Sequence, residues 1–194
     1  MYRFFALTIF GFLAVPGFAI TVIPTAGCVS QVNGVDSTIN FDGFTAIDPA
    51  GHATYSGNVL FDGGTNPGCG ADWLFQDNST TIITFDAPID YFGFVWNSPD
   101  TFNSVQLFNG ATQVGPTYIG AASFVTDTYM NFFADSGEQF TSVVLSSPGC
   151  CFETDNNSYR LVTTAASIPE PGTFLPTGLM AAVLLSALFR RRRA

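Results

Sequence analysis

Short runs in which apolar and polar residues alternate dominate the middle of the chain, interrupted every few positions by Gly, Pro, Asn or Asp. TTIITF (80–85) and DYFGFVW (90–96) are rich in β-branched and aromatic residues, the composition of strands packed against a core. Between them DAPI (86–89) predicts a proline-containing turn. SVQLF (104–108) sets Val105 and Leu107 against Gln106 and stops at Asn109-Gly110, a hairpin dipeptide. Further strands are predicted in ATYSGNVLF (53–61), TYIG (117–120), ASFV (122–125), YMNFF (129–133), FTSVVL (140–145) and SYRLVT (158–163). INFDGF (39–44) and VLFDGG (59–64) look alike, and each is read as a strand leaving into a turn rather than as a repeat. No internal stretch sustains a helical apolar period. Many short strands with turn signals at close spacing predict an all-β, jelly-roll-like β-sandwich, its two sheets about 10 Å apart and filled by phenylalanine.

The two ends break this pattern. MYRFFALTIFGFLAVPGFA has a positive Arg3, an apolar stretch and small residues at Gly17 and Ala19, which predicts a signal peptide over 1–19. After Thr164, AASIPEP reads as a linker. The run 174–189 carries no charge and, as a helix, extends about 24 Å, short of the roughly 20 residues a full span takes. Pro176 falls in its first turn, where proline is tolerated. Arg190, Arg191, Arg192 and Arg193 follow, a positive cluster of the kind held on the cytoplasmic side. The predicted organisation is therefore a signal peptide (1–19), an exported domain (20–167) and a tail (168–194) with a transmembrane helix.

Charge sharpens the picture of the domain. Of the 6 basic residues only Arg160 lies within 20–167, whereas of the 15 acidic ones only Glu170 lies outside it. Such a surface repels phosphates and excludes a nucleic-acid partner. It suits divalent cations or simple solubility.

Four cysteines, Cys28, Cys69, Cys150 and Cys151, predict disulfides in an exported chain, with three connectivities open. Adjacent cysteines join only through a small ring, so Cys150 and Cys151 are expected to pair outward with Cys28 and Cys69. A zinc site is the rival, without C-x-x-C spacing and with His52 as the sole histidine. TAGC (25–28) resembles the end of a lipobox, with Thr25 where Leu is usual, which makes lipidation of Cys28 an alternative.

Chemistry is sparse. His52 is the only candidate base for a nucleophile, and no Gly-x-Ser-x-Gly elbow accompanies it. Paired carboxylates, with Glu138 and Glu153 as the domain's glutamates, would make a polysaccharide hydrolase. Most aspartates, among them Asp42, Asp62, Asp77, Asp86, Asp90 and Asp100, stand beside turn residues and read as caps. FETDNNSY (152–159) offers Glu153, Asp155, Asn156 and Asn157 as oxygen donors for calcium, without EF-hand spacing; otherwise it is a polar hairpin loop. For carbohydrate, Trp73, Trp96, Tyr91, Tyr118, Tyr129 and Tyr159 are the stacking candidates, although the apolar strand around Trp96 predicts its burial.

Pro169-Glu170-Pro171, the apolar helix and the terminal arginines, in that order, resemble the PEP-CTERM sorting signal of Gram-negative bacteria. The resemblance implies recognition of Pro169, Glu170 and Pro171 by exosortase, a transient anchor, a stop-transfer role for the arginines, and release to the cell surface or matrix. Two prolines keep the motif extended, as a protease substrate must be. YFGFVWNSPDTFNSVQLFNG (91–110) and FETDNNSY are similar to exosortase-dependent surface proteins with a β-sandwich domain. The resulting expectation is a non-enzymatic surface or matrix protein that contacts exopolysaccharide; a secreted polysaccharide hydrolase and a calcium-dependent adhesin are the alternatives.

Overall fold

A computed structural model describes residues 20–66, 69–97, 99–120 and 128–162. The expected signal peptide, the strand at 122–125, the Pro169-Glu170-Pro171 motif, the helix 174–189 and the arginines 190–193 lie outside the described residues. Within them the alternating pattern becomes strands: β1 (Ile20–Ala26), β2 (Ser37–Ile39), β3 (Ala53–Gly57), β4 (Leu60–Asn66), β5 (Gly70–Gln76), β6 (Ser79–Trp96), β7 (Ser104–Asn109), β8 (Thr112–Ile119), β9 (Thr128–Ala134), β10 (Phe140–Ser147) and β11 (Phe152–Leu161). Every pairing is antiparallel, and the strands form one continuous 11-stranded network. Among the described residues no helix is long and apolar enough to cross a membrane.

The network hangs on β6. Its first half pairs with β3 on one edge and β10 on the other; its second half pairs with β9 and β11. The predicted turn at DAPI is corrected: the strand runs straight through it. The β10 register explains how, since Ser142 faces Thr84 while Phe140 faces Ile89, so β6 carries a surplus of residues at this point. Pro88 has no N–H to miss, and its carbonyl accepts from Val162 N–H (2.9 Å), while Asp86 N–H donates to the His52 carbonyl (3.0 Å). The irregularity thus leaves the Asp86 N–H and the Pro88 carbonyl paired.

Three other expectations change. ATYSGNVLF is two strands, β3 and β4, separated at Asn58-Val59. β1 and β5 lie outside the stretches the alternating pattern marks, and β2 is the strand from which INFDGF leaves into its turn. FETDNNSY is no hairpin loop but the body of β11, with Thr154, Asp155, Asn157 and Ser158 all buried. Some of these groups are met by partners: Asn157 Nδ2 donates to the Tyr55 hydroxyl (3.1 Å), and the Ser158 and Thr38 hydroxyls bond each other (2.8 Å), whereas Thr154 Oγ1 and Asn157 Oδ1 are buried without a hydrogen-bond partner among the described residues.

The core is aromatic, as the phenylalanine content implied. Phe92, Phe94 and Trp96 from β6 meet Phe132, Phe140, Phe152 and Tyr159, each 1% exposed or less. Phe94 stacks on Phe132 (centroids 5.8 Å, planes 12° apart) and Trp96 lies against Phe152 (4.8 Å). Full burial of such a ring contributes about 1.5–3 kcal/mol, with offset pairing adding about 0.5–1.5 kcal/mol.

Asp48 ties the long β2–β3 connection to this core. Its carboxylate accepts from Ser37 Oγ (2.5 Å), the Tyr159 hydroxyl (2.6 Å) and the N–H groups of Ala50 (3.1 Å), His52 (2.7 Å) and Ala53 (2.8 Å). Burial pushes this carboxyl up, but the hydrogen bonds outweigh burial and hold it below the ordinary aspartate value. Asp48→Ala strands all these donors, so thermal and urea denaturation should show a loss of at least about 3 kcal/mol. A loss below about 1 kcal/mol would contradict the anchoring role.

Candidate functional site

The candidate site lies where two strands share one edge of β11. β5 pairs with Phe152–Thr154 and β2 with Asn157–Tyr159, which leaves Asp155 and Asn156 at the junction. Across the other edge Asp155 faces Val95 and Ser158 faces Gly93, so β11 holds one residue too many and bulges. Asn156 takes up the bulge with φ 51°, a conformation asparagine tolerates better than most residues.

The chain leaving β2 runs along β11 and turns over the junction through Asn40, Phe41, Asp42, Gly43 and Phe44. Phe44 N–H donates to the Phe41 carbonyl (3.0 Å), and Gly43 N–H to Asp72 Oδ2 (2.8 Å) on β5. Asn40 Nδ2 donates to Asp42 Oδ2 (3.0 Å). Phe41 plugs into the core with no exposure, whereas Phe44 is 53% exposed and has φ 57°. A bulky aromatic in that left-handed region is an outlier. Its ring rests on Gly63, where a Cβ would stand 3.1 Å from Phe44 Cζ and 3.6 Å from Asp72 Oδ1. The cross-strand partner of Asp72 is Gly63 itself, so the missing side chain makes the seat for the ring.

Under this turn Asp155 is buried, with Oδ1 accepting from Asn156 N–H (2.7 Å). Gly70 makes room for it: a Cβ there would come within 2.8 Å of Asp155 Oδ2 and 3.9 Å of Asp42 Oδ1. Burial, with the nearby charges of Asp42 and Asp72, drives the Asp155 carboxyl up to about 7, against the pull of N–H bonds from Asn156 and Phe41. Beside it the Asn156 amide donates to the carbonyls of Cys28 (2.7 Å) and Cys69 (3.4 Å).

Those two cysteines are bonded to each other, and Cys150 is bonded to Cys151. The expected outward pairing is therefore wrong. Cys28 follows β1 and Cys69 precedes β5, and both ends arrive at the junction, where they pack on Trp73, Val95 and Tyr129. Cys150 and Cys151 lie in the β10–β11 connection, where Cys151 adopts φ 78°. No cysteine is free, so neither a cysteine zinc site nor lipidation of Cys28 fits.

The calcium donors do not converge as proposed from sequence. Asp155 is turned to backbone N–H groups and Asn156 to the cysteine carbonyls, while Glu153 accepts from Asn97 Nδ2 (2.5 Å). Among the described residues no three His, Cys, Asp or Glu side chains are set to hold a metal ion. Of the two glutamates, Glu138 sits in the turn after β9 and Glu153 in β11. His52 Nδ1 meets Asp86 Oδ1 (2.8 Å) on an exposed edge, and Arg160 pairs with Asp90 (2.7 Å).

Of the six stacking candidates, Trp73, Trp96, Tyr91, Tyr129 and Tyr159 are 1% exposed or less and serve the core; Tyr118 is half-buried. Among the described residues the aromatic rings that are widely exposed are Phe44 and Phe102. Sequence reading missed Phe44 because phenylalanine there reads as core. The one signal was its place directly after Asp42-Gly43, beyond the end of the strand pattern.

Asp155 carries a pH signature. Its folded value is raised above the unfolded one, so its contribution is full below about 4 and is lost as pH rises to about 7. Relative to Asp155→Asn, the native chain should lose on the order of a few kcal/mol of stability across that window, read from melting temperatures at each pH. Parallel pH profiles for the two proteins would refute this. Comparison of the chain with protein-family models, with curated proteins and with solved structures finds no match to any of the three.

Proposed function

We propose that the chain is an exported surface or extracellular-matrix protein of a Gram-negative bacterium, sorted and processed by exosortase through its PEP-CTERM tail. Its domain is a non-catalytic, jelly-roll-like β-sandwich that binds exopolysaccharide. Support for export comes from the ordered tail Pro169-Glu170-Pro171, apolar run and arginines 190–193, and from the N-terminal signal pattern. Four cysteines held in two disulfides fit an oxidising compartment. The sandwich reading is supported by β6, whose halves pair with separate partner sets, β3 and β10 against β9 and β11.

Phe44 is the observation that carries the ligand. A phenyl face held out to solvent, in a conformation its residue type disfavours, is the kind of strain found where a ligand is met. Sugar C–H faces stack on such rings, and the exposed Asp42 carboxylate beside it accepts hydroxyl hydrogens. With Asp42 and Asp72 next to the ring and a formal charge of −9, a neutral polymer fits better than a uronate-rich one.

Two measurements test the proposal. Phe44→Gly relieves the left-handed strain, so the melting temperature should hold or rise while binding to host exopolysaccharide weakens at least about tenfold, about 1.4 kcal/mol. Retained binding would sink the ligand assignment. Mass spectrometry of the mature protein from its host should find a C-terminus that lacks Arg190, Arg191, Arg192 and Arg193; a chain still carrying them overturns the sorting assignment.

A further inference from the structure

The two disulfides occupy opposite settings. Cys28–Cys69 spans a sequence separation of 41, and closing such a loop removes roughly 4 kcal/mol of unfolded-chain entropy on the chain-entropy model. Cys69 is 6% exposed, and the Cys28 carbonyl is capped by Asn156. Cys150–Cys151 has a separation of 1 and closes no loop of chain, so it restrains almost nothing in the unfolded state. Cys150 is exposed and Cys151 half-buried, in a connection outside the strand ladder. Stability does not account for this second bond.

What the bond does hold is a corner. Cys151 has φ 78°, unfavourable for a residue with a Cβ, and β11 starts at the next residue with the buried Phe152. The Gly149 carbonyl accepts from Asn78 N–H (3.0 Å) of the β5–β6 turn and from Ser147 Oγ (2.7 Å). The Phe102 ring lies over Gly149, with Cε2 3.0 Å from where a Cβ would stand, and is 43% exposed. One short segment thus joins the ends of β10 and β11, the β5–β6 turn and an exposed ring.

We infer that Cys150–Cys151 is a reversible thiol–disulfide site that reacts with dithiol reductants and sets the conformation of this corner. A thiolate of the dithiol attacks the sulfur of Cys150, an exposed residue; the sulfur–sulfur bond breaks, and Cys151 leaves as thiolate and takes up a proton. The second thiol of the reductant then attacks its own sulfur in the mixed disulfide and expels Cys150. The reductant ends as a disulfide, and the chain has gained two electrons and two protons. Freed from the small ring, Cys151 relaxes out of the left-handed region, and the Gly149 contacts to Asn78 and Phe102 loosen. The inference is independent of the polysaccharide assignment, which rests on Phe44.

The test treats the full chain with graded dithiothreitol, traps thiols with iodoacetamide and maps them after peptic digestion. Cys150 and Cys151 should be alkylated at a concentration at least about tenfold below that which opens Cys28–Cys69. Hydrogen exchange at Asn78 should then rise about tenfold or more while the β6–β10 ladder stays protected. Opening of both disulfides together, or unchanged exchange at Asn78 once the pair is reduced, overturns the inference. The double variant Cys150→Ala, Cys151→Ala gives a second reading: fast exchange at Asn78 without reductant supports the inference, and exchange equal to that of the oxidised chain refutes it.

Discussion

Everything in the described fold depends on one strand being hydrogen-bonded along both edges. β6 supplies a continuous backbone from Ser79 to Trp96, and four other strands find their register on it. An antiparallel network of this size needs a member long enough to serve two groups of strands. Such a member must bend between them without leaving polar backbone groups bare. Asp86-Ala87-Pro88 meets that condition, because proline omits a donor and the neighbouring groups are served by His52 and Val162. The packing follows from it: the second half of β6 turns Phe92, Phe94 and Trp96 into the aromatic core, and its other face is closed by Val95 against Tyr129 and the Cys28–Cys69 bond.

Residue type made some of this legible and tertiary context hid the rest. The two halves of β6, with β7, β9 and β10, could be read because β-branched and aromatic residues cluster there; they are buried alternately in β7, β10 and the first half of β6 and almost throughout in β9 and the second half of β6. Of β11 only the end could be read, as SYRLVT; its first part could not, because Thr154, Asp155 and Asn157 are residues of loops by composition. Asn157 and Ser158 are met by the hydroxyls of Tyr55 on β3 and Thr38 on β2, which no local window contains. β2 is too short to carry a pattern. The proline turn failed for a related reason: Pro88 marks an interruption of the ladder, which locally looks the same as the end of a strand.

The site was less legible than the fold. Its acidic residues, Asp42, Asp72 and Asp155, come from three distant stretches and meet only because β2 and β5 succeed each other on one edge. Adjacent donors in sequence, Glu153, Asp155 and Asn156, are spent on different partners. The cysteines teach the same lesson from the other side. Sequence logic disfavoured the bond between neighbours on grounds of ring size, yet Cys28 and Cys69 were already committed to each other by the route of β1 and β5.

The solitary Arg160 has a consequence outside folding. The domain spanning residues 20–167 contains no lysine, and proteases that cut after basic residues find a single bond in it, Arg160–Leu161. That bond lies inside β11, with the guanidinium engaged by Asp90 (2.7 Å) and the Leu161 N–H by Asp36 (2.7 Å). A protease must draw its substrate into an extended, unpaired strand, and here the only cleavable segment is already paired. The folded domain therefore gives trypsin-like enzymes nothing to grip, and it also lacks the side-chain amines through which many crosslinks form.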